Sequence, residues 1–309
     1  MAADAVLRTR LPFLMEGWGT NHVRATANVT PDLARGLAEP PMDPQAAATR
    51  LECRFILGMR VHATCYADAV QRIAAWAGAR GSRYVCEAPI HMVMESYDSA
   101  EFRDVINGAD LVTPGGMPIV WMMRLLGVRG QPRVYGPAMT LEVCEYAAVH
   151  GLKVGFYGGT EKSLRSLCSE LRRRYSGLDI VYSYSPPFRS LTSEEDTQIR
   201  RAIEDSGTQI LFVGLGCPKQ ERWMAAHRPG VRAVMMGVGA AFDFISGEKP
   251  QAPMWMQRTG TEWLFRLCCE PRRLWLRYAY HNPRFVVLAL LQLVGSQVGT
   301  DVLNVPASR

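Results

Sequence analysis

Residues 212–221 read FVGLGCPKQE, and residues 237–244 read GVGAAFDF. In each stretch a short apolar segment runs into glycines and then into charged or amide side chains, the local pattern with which α/β proteins hold phosphate-bearing ligands at the end of a sheet. Lysine neutralises phosphate charge, glutamine both donates and accepts, and carboxylates accept from sugar hydroxyls, so the pattern favours a nucleotide sugar. The candidate substrate-binding residues here are Gly216, Lys219, Gln220, Glu221, Gly239 and Asp243.

Candidate strands alternate with amphipathic segments over most of the chain. The candidate strands are 55–61, 84–88, 111–113, 153–157, 180–184, 209–214 and 232–238. Amphipathic stretches such as 66–77, 161–175 and 193–205 lie between them. This alternation predicts an α/β fold with a mostly parallel, Rossmann-like sheet and helices on both faces. Ligands of such sheets bind outside the carboxyl ends of the strands.

The composition changes twice along the chain. Residues 1–50 are rich in Ala, Pro, Thr and Asp without periodicity, and we expect a mobile N-terminal arm. Residues 51–250 form the predicted α/β core. Residues 251–309, in which aromatic residues interleave with arginines, form a predicted helical, membrane-associating appendage.

The apolar run 285–294 in this last region is shorter than the roughly 20 residues that span a bilayer. Its two interpretations are a buried core helix and a helix lying on the membrane surface. The Trp, Tyr and Arg residues just upstream favour the membrane, where aromatic side chains sit at headgroup level and arginine meets anionic phosphate.

The charge pattern indicates an anionic partner. The 309-residue chain has 48% hydrophobic and 21% charged residues and a formal net charge of +6. Six arginines are concentrated in one C-terminal stretch: Arg258, Arg266, Arg272, Arg273, Arg277 and Arg284. Membrane phosphate or a diphosphate substrate suits such a stretch, and because no nucleic-acid-binding motif accompanies it we expect no nucleic-acid partner.

Cysteine and histidine usage bears on compartment and metals. The eight cysteines include no Cys-x-x-Cys, and the six histidines have no metal-ligand spacing with one another or with cysteines. No signal peptide is recognisable near the N-terminus. These observations predict a reducing, cytoplasmic location and no metal site.

Several separate blocks, in order, resemble the WecG/TagA/CpsF glycosyltransferase family. The blocks are 214–221, 237–247, 262–266, 270–273 and 277–278, within a resemblance that covers roughly residues 55–285. The resemblance implies an inverting transfer of a hexose, namely N-acetylmannosamine, its uronic acid or glucose, from a UDP-sugar to a polyprenyl-diphosphate-linked saccharide. It also implies a peripheral location on the inner face of the cytoplasmic membrane. Homo-oligomer formation stays open.

The chain departs from the family where the catalytic base is expected. The family usually has an Asp-Gly pair after the strand at 111–114, but Gly115-Gly116 stands here. The family's Thr-x-Asn falls on Glu87-Ala88-Pro89, so Glu87 is the predicted replacement base, with His91 as the second candidate. An inactive enzyme is the third interpretation.

Further candidate ligand residues lie in the middle and at the end of the chain. Arg133 matches a family arginine that contacts the nucleotide sugar; a surface arginine at a strand start is the alternative. Gly158 and Gly159 follow a strand and open a helix, where backbone N–H groups can approach a ligand. The arginines proposed to face the acceptor diphosphate and the membrane are Arg266, Arg273 and Arg277.

No cofactor is expected, and the absence of Asp-x-Asp from the sequence predicts a metal-independent reaction with the leaving-group charge met by arginines. Two other functions were weighed. An NAD-dependent oxidoreductase is disfavoured because no Gly-x-Gly-x-x-Gly spacing is met. A non-catalytic subunit that binds a nucleotide sugar stays open.

Overall fold

The computed structural model describes residues 51–303, and the side chains of residues 51–295. The arm predicted for residues 1–50 lies outside the described residues, as do residues 304–309 of the predicted appendage.

Within residues 51–303 the chain forms eight strands: β1 (Cys53–Ile56), β2 (Met59–His62), β3 (Arg83–Glu87), β4 (Leu111–Thr113), β5 (Lys153–Gly158), β6 (Asp179–Tyr184), β7 (Ile210–Gly214) and β8 (Val234–Gly237). The helices of the same region are α1 (Tyr66–Gly78), α2 (Ile90–Asp98), α3 (Ala100–Asn107), α4 (Met117–Leu125), α5 (Gly136–His150), α6 (Glu161–Arg174), α7 (Ser193–Asp205), α8 (Lys219–His227), α9 (Ala241–Ile245), α10 (Met254–Arg258), α11 (Glu262–Cys269) and α12 (Pro271–Leu303). A short 3-10 turn, Arg228–Gly230, precedes β8.

Six of the strands form one sheet in the order β4-β3-β8-β7-β5-β6, and every neighbouring pair is parallel. Parallel neighbours require crossover connections, which the helices between the strands supply. The predicted α/β fold with a parallel, Rossmann-like sheet and C-terminal helices is confirmed.

The sheet is buried on both faces. Along β7, Leu211 and Val213 belong to one core cluster, whereas Ile210 and Phe212 belong to the other. The first cluster joins the sheet to α2, α3, α4, α7, α8 and α12, and the second joins it to α1, α5, α6 and α9. A strand covered on both faces contains apolar residues at successive positions. This explains the unbroken apolar run of residues 210–213 in β7.

The single strand predicted for residues 55–61 is wrong, because this segment is an antiparallel hairpin of β1 and β2. Leu57 and Gly58 form its turn with φ values of 50° and 85°. Two successive residues with positive φ make the tight turn whose twist matches that of paired strands. Reading the apolar run as continuous overlooked the turn at Gly58.

The C-terminal helix α12 has one side on the core and another in solvent. Phe285 and Ala289 are buried in the first core cluster, where α12 packs on α2. The exposed apolar side chains of the same segment are Val286, Val287, Leu290, Leu291 and Val294. The buried side agrees with the core-helix interpretation of residues 285–294, and the membrane-surface interpretation of the exposed side stays a prediction.

Among the helices within residues 51–303, none is both long enough and apolar enough to cross a bilayer.

The end of β5 approaches β7 so closely that a side chain there would not fit. Gly158 has a φ of 121°, and a Cβ atom on it would lie 2.6 Å from the Gly214 backbone. Gly158→Ala should therefore cost roughly 2–4 kcal/mol of unfolding free energy, from the unfavourable φ and the backbone overlap together. Gly151→Ala is the matched control, since Gly151 has a φ of 66° but open space around its Cβ position. Urea unfolding followed by circular dichroism measures both, and equal losses would show that the Gly158–Gly214 contact is not restrictive.

Candidate active site

A cavity of about 470 Å³ lies at the carboxyl edge of the sheet. The strands β4, β3, β8 and β7 are consecutive in the sheet, so the loops that follow them meet there and contribute to the lining. The helices α10, α11 and α12 supply the rest of one wall. Small-molecule sites typically enclose roughly 300–1,000 Å³, so the space suits a ligand of this class.

Glu87 ends β3 with its carboxylate between two glycines. A Cβ atom at Gly115 or at Gly136 would overlap the Glu87 side chain, so the glutamate fits only because both positions lack one. Glu87 and Gly115 therefore lie side by side, which follows from the parallel pairing of Glu87 with Thr113. The carboxylate occupies space that a side chain at position 115 would need.

Burial raises the pKa of Glu87 to about 7. The N–H of Gly136, at the start of α5, donates to the carboxylate and lowers the pKa, and the Arg133 charge acts in the same direction. Desolvation exceeds these opposing effects. The pKa of Glu87 therefore lies near neutral pH, which is the range in which a general base is most effective.

Arg133 is held by a residue of the C-terminal helices. Its Nη2 donates to Glu262 Oε2 at 2.7 Å, and its Nε donates to the Gly115 carbonyl at 2.5 Å. The Tyr135 hydroxyl donates to Glu262 Oε1 at 2.9 Å, and the guanidinium lies 4.0 Å from the centroid of the Tyr135 ring. Glu262 is 8% exposed, so a largely buried, charge-assisted pair fastens α11 to the core.

Gln220 joins the two glycine-containing loops. Its Oε1 accepts from the backbone N–H of Gly216 and of Gly239, each at 3.1 Å. Its Nε2 donates to Glu221 Oε1 at 2.7 Å. Gly216 and Gly239 both have positive φ, which their turns require. The amide thereby fixes the backbone of both loops, and Gln220, Gly216 and Gly239 line the cavity.

Four predicted substrate-binding residues do not line the cavity: Gly158, Gly159, Glu221 and Asp243. Gly158 ends β5 and Gly159 follows it. β5 is the next strand beyond β7 and is not one of the four strands whose loops line the cavity. Their ligand contacts stay predictions.

The other two residues, Glu221 and Asp243, have carboxylates that contact side chains of the protein itself. Glu221 is fully buried beside Gln220, and burial raises its pKa to about 7. Asp243 Oδ2 lies 2.7 Å from Lys249 Nζ, which also lies 3.2 Å from Glu270 Oε1 at the base of α12. In this arrangement Glu221 supports Gln220, and Asp243 connects the β8 loop to the C-terminal helices.

Besides Arg133, which pairs with Glu262, four cations line the cavity: Lys219, Arg266, Arg273 and Arg277. Arg273 Nε donates to Glu270 Oε1 at 3.1 Å, and the Arg266 guanidinium lies 5.5 Å from the centroid of the Phe244 ring. Among the side chains of residues 51–295, neither Arg266 nor Arg277 forms an ion pair. Because α8 begins at Lys219, its N-terminal N–H groups add positive potential, and the lining suits an anionic ligand.

His91, in the first turn of α2, also lines the cavity. Burial lowers its pKa to about 4, and the nearby charge of Arg277 acts in the same direction. The carbonyl of Cys217 accepts a hydrogen bond from the ring. Near pH 7 the imidazole is therefore neutral.

Three residues important to the geometry were not predicted: Tyr135, Glu262 and His281. Tyr135 stands two positions from Arg133, and Glu262 is one of the few acids among the C-terminal arginines, so both had local signals. His281 had none, because its position against α2 depends on how α12 packs.

A model of the glycosyl transferase WecG/TagA/CpsF family matches residues 54–298. An N-acetylglucosaminyldiphosphoundecaprenol N-acetyl-β-D-mannosaminyltransferase of Bacillus subtilis (strain 168) is 29% identical over 178 residues, which cover 57% of this chain and 67% of that protein. A protein of the same name from Bacillus spizizenii is 26% identical over 208 residues, which cover 67% of this chain and 78% of that protein. Because the family model spans well over half of the sequence, the chain belongs to the WecG/TagA/CpsF family of glycosyl transferases.

Proposed function

We propose that this protein transfers a hexose from a UDP-sugar to a saccharide carried on a polyprenyl diphosphate, with inversion at the anomeric carbon. The observation that carries the proposal is the cavity in which Glu87 stands among Lys219, Arg266, Arg273 and Arg277. A base with a pKa near neutrality and a field of cations are the two requirements for activating a hydroxyl and receiving a departing diphosphate. Family membership and the names of the two relatives support the same reaction class.

The donor's diphosphate fits the loops after β7 and β8. Positive-φ glycines there allow a close approach to the backbone, and Lys219 with the start of α8 offers positive charge. Arg133 is the further donor contact carried over from the family. Its guanidinium already binds Glu262, so it would hold a ligand from a fixed position.

The acceptor is proposed from the relatives' names, which specify a sugar on diphosphoundecaprenol. Arg266 and Arg277, which lack ion-pair partners among the described side chains of residues 51–295, are suited to the acceptor's own diphosphate. N-acetylmannosamine, its uronic acid and glucose are the transferred sugars under this proposal.

In the proposed step Glu87 takes the proton of the acceptor hydroxyl as that oxygen attacks the anomeric carbon. The bond from that carbon to the diphosphate oxygen breaks, and UDP leaves with its electron pair. His91 is the weaker base, because its pKa of about 4 lies well below the value of about 7 for Glu87. Three pKa units correspond to about a thousandfold difference in proton affinity.

The second candidate function is a non-catalytic subunit that binds a nucleotide sugar. It is favoured by one observation, the glycine at position 115 where the family usually has a carboxylate. It predicts UDP binding without transfer.

Glu87→Gln should lower turnover by roughly 10²-fold or more while UDP affinity changes little, because the amide keeps the shape but cannot accept a proton. Turnover of the natural protein should fall as pH decreases through about 7, since protonation removes the base. The measurement is transfer from a panel of UDP-hexoses to a short lipid-diphosphate saccharide, with UDP affinity measured by calorimetry.

The matched control is Glu142→Gln, which removes a carboxylate from α5 that does not line the cavity. Full turnover in Glu87→Gln would exclude this glutamate as the base. UDP binding without transfer of any sugar by the natural protein would establish the non-catalytic alternative.

We also propose that α12 rests on the inner face of the cytoplasmic membrane, where the lipid acceptor is found. The exposed side chains on its distal part include Leu290 and Leu291, at 58% and 63% exposure. Trp275 and Tyr280, nearer the cavity, are also more than half exposed and suit the headgroup region. The helix would thereby bring the cavity wall to the lipid surface.

The double change Leu290→Glu and Leu291→Glu should lower binding to phosphatidylglycerol-containing vesicles by at least tenfold, because it places charge where acyl chains would be contacted. Basic side chains near an anionic surface contribute on the order of 1 kcal/mol each, so binding of the natural protein should also weaken as salt rises. Leu125→Glu is the control, since Leu125 is 66% exposed on α4. Co-sedimentation measures all three, and an equal loss in the control, or no vesicle binding at all, would contradict the membrane assignment.

A further inference from the structure

Two histidines and a glutamate meet where α12 packs on α2. His91 and Glu95 are one turn apart on α2, and His281 of α12 lies beside them. His91 Nδ1 is 3.7 Å and His281 Nε2 is 3.8 Å from the same Glu95 oxygen, Oε1. One ligand atom from each residue lies within 4.8 Å of the others. Both separations from Oε1 are too long for a hydrogen bond.

The two imidazoles carry buried nitrogens without partners. His91 Nδ1, the nitrogen that faces Glu95, finds no hydrogen-bond partner among the described residues. His281 is 8% exposed; its Nε2 faces Glu95, and its Nδ1, on the other side of the ring, also has no partner among those residues. Because the Cys217 carbonyl accepts from the other ring nitrogen of His91, the lone pair of that ring lies on Nδ1. Such a second hydrogen bond, which fixes ring and tautomer, typically accompanies a metal-binding histidine.

We propose that His91, Glu95 and His281 form a binding site for a divalent transition-metal ion of the Zn²⁺ class. Two imidazoles and one carboxylate are a donor set that zinc favours, and three protein ligands leave one position open. Ligand atoms around tetrahedral Zn²⁺ lie about 3.3 Å apart, so the separations from Oε1 need to shorten by roughly half an ångström. The ligand atoms of the two histidines, which lie within 4.8 Å of each other, need to approach to the same spacing.

The surrounding charges allow this ion. Glu95 contributes a full negative charge in the site, and Asp98 adds a second nearby, although Arg284 binds it. The Arg277 charge opposes a cation at His91, and the Glu95 carboxylate, 3.7 Å from His91 Nδ1, favours one.

The site would have two effects. It would connect α12 to α2 and so hold the C-terminal helices against the core. It would also place a cation in the cavity wall, since His91 and His281 both line the cavity. An anionic oxygen could occupy the open coordination position and contact Arg277 as well. This last effect depends on the proposed function, whereas metal binding itself does not.

The sequence predicted no metal site because it offered no histidine spacing, and a reaction without Asp-x-Asp was expected to be metal-independent. Sequence spacing reveals only metal ligands that are near one another along the chain. The proposed site needs a helix from the far end of the chain.

Titration of the chelator-treated, full-length protein with Zn²⁺ by calorimetry tests the site, with no nucleotide or acceptor present. One equivalent should bind, and Co²⁺ in its place should give visible absorption bands of a low-symmetry, nitrogen- and oxygen-ligated site. His281→Ala and Glu95→Gln should each weaken Zn²⁺ binding at least tenfold and remove the Co²⁺ bands. His150→Ala is the matched control, because His150 stacks on Tyr146 away from the cluster.

Zn²⁺ should also raise the melting temperature of the natural protein and of His150→Ala, but not that of His281→Ala. Near-UV circular dichroism establishes that the variants are folded, and His281→Asn serves if the alanine variant is not. The proposal is overturned if the natural protein binds no stoichiometric Zn²⁺, or if folded His281 and Glu95 variants bind it as tightly as the control. Because no transfer is measured, these outcomes are independent of whether the glycosyltransferase proposal holds.

Discussion

The carboxylate of Glu262 accepts hydrogen bonds from Arg133 and Tyr135, and this pairing makes the C-terminal helices a wall of the cavity. Among the side chains of residues 51–295, it is the buried polar contact that attaches α11 beside the sheet edge. Removing one partner of a buried ion pair typically costs about 3–5 kcal/mol, because the other charge is left without compensation. Arg266, on the same helix α11, also lines the cavity.

A second constraint is the space available where the neighbouring strands β3 and β4 end. Glu87, which ends β3, fills the space beside Gly115, which follows β4 and has no side chain. Parallel neighbours end at the same edge, so a side chain from either can reach one point in space. Gly136 also leaves room for the Glu87 side chain, and its backbone N–H donates a hydrogen bond to the Glu87 carboxylate.

Much of this site was predictable from local pattern. The glycine loops after β7 and β8 and the cations of the C-terminal stretch were identified from strand–glycine junctions and charge, and most of those residues line the cavity. Glu221 and Asp243 were selected by the same reasoning but face protein partners, Gln220 and Lys249. Sequence pattern locates a polar residue near a strand end, but it does not specify which way the side chain points.

The sequence alone determined the α/β class, the parallel sheet and the glycosyltransferase resemblance, because apolar periodicity and strand–glycine junctions are local properties of the chain. It failed at Gly58, where the turn depends on two backbone dihedral angles rather than on hydrophobicity. Only the tertiary structure placed Glu262 on Arg133, fitted Glu87 between two glycines, and brought His281 to His91 and Glu95. These are contacts between residues far apart in sequence. Packing of the C-terminal helices brings Glu262 to Arg133 and His281 to His91, whereas the parallel pairing of β3 with β4 brings Glu87 to Gly115. No local pattern in the sequence sets which of these side chains meet.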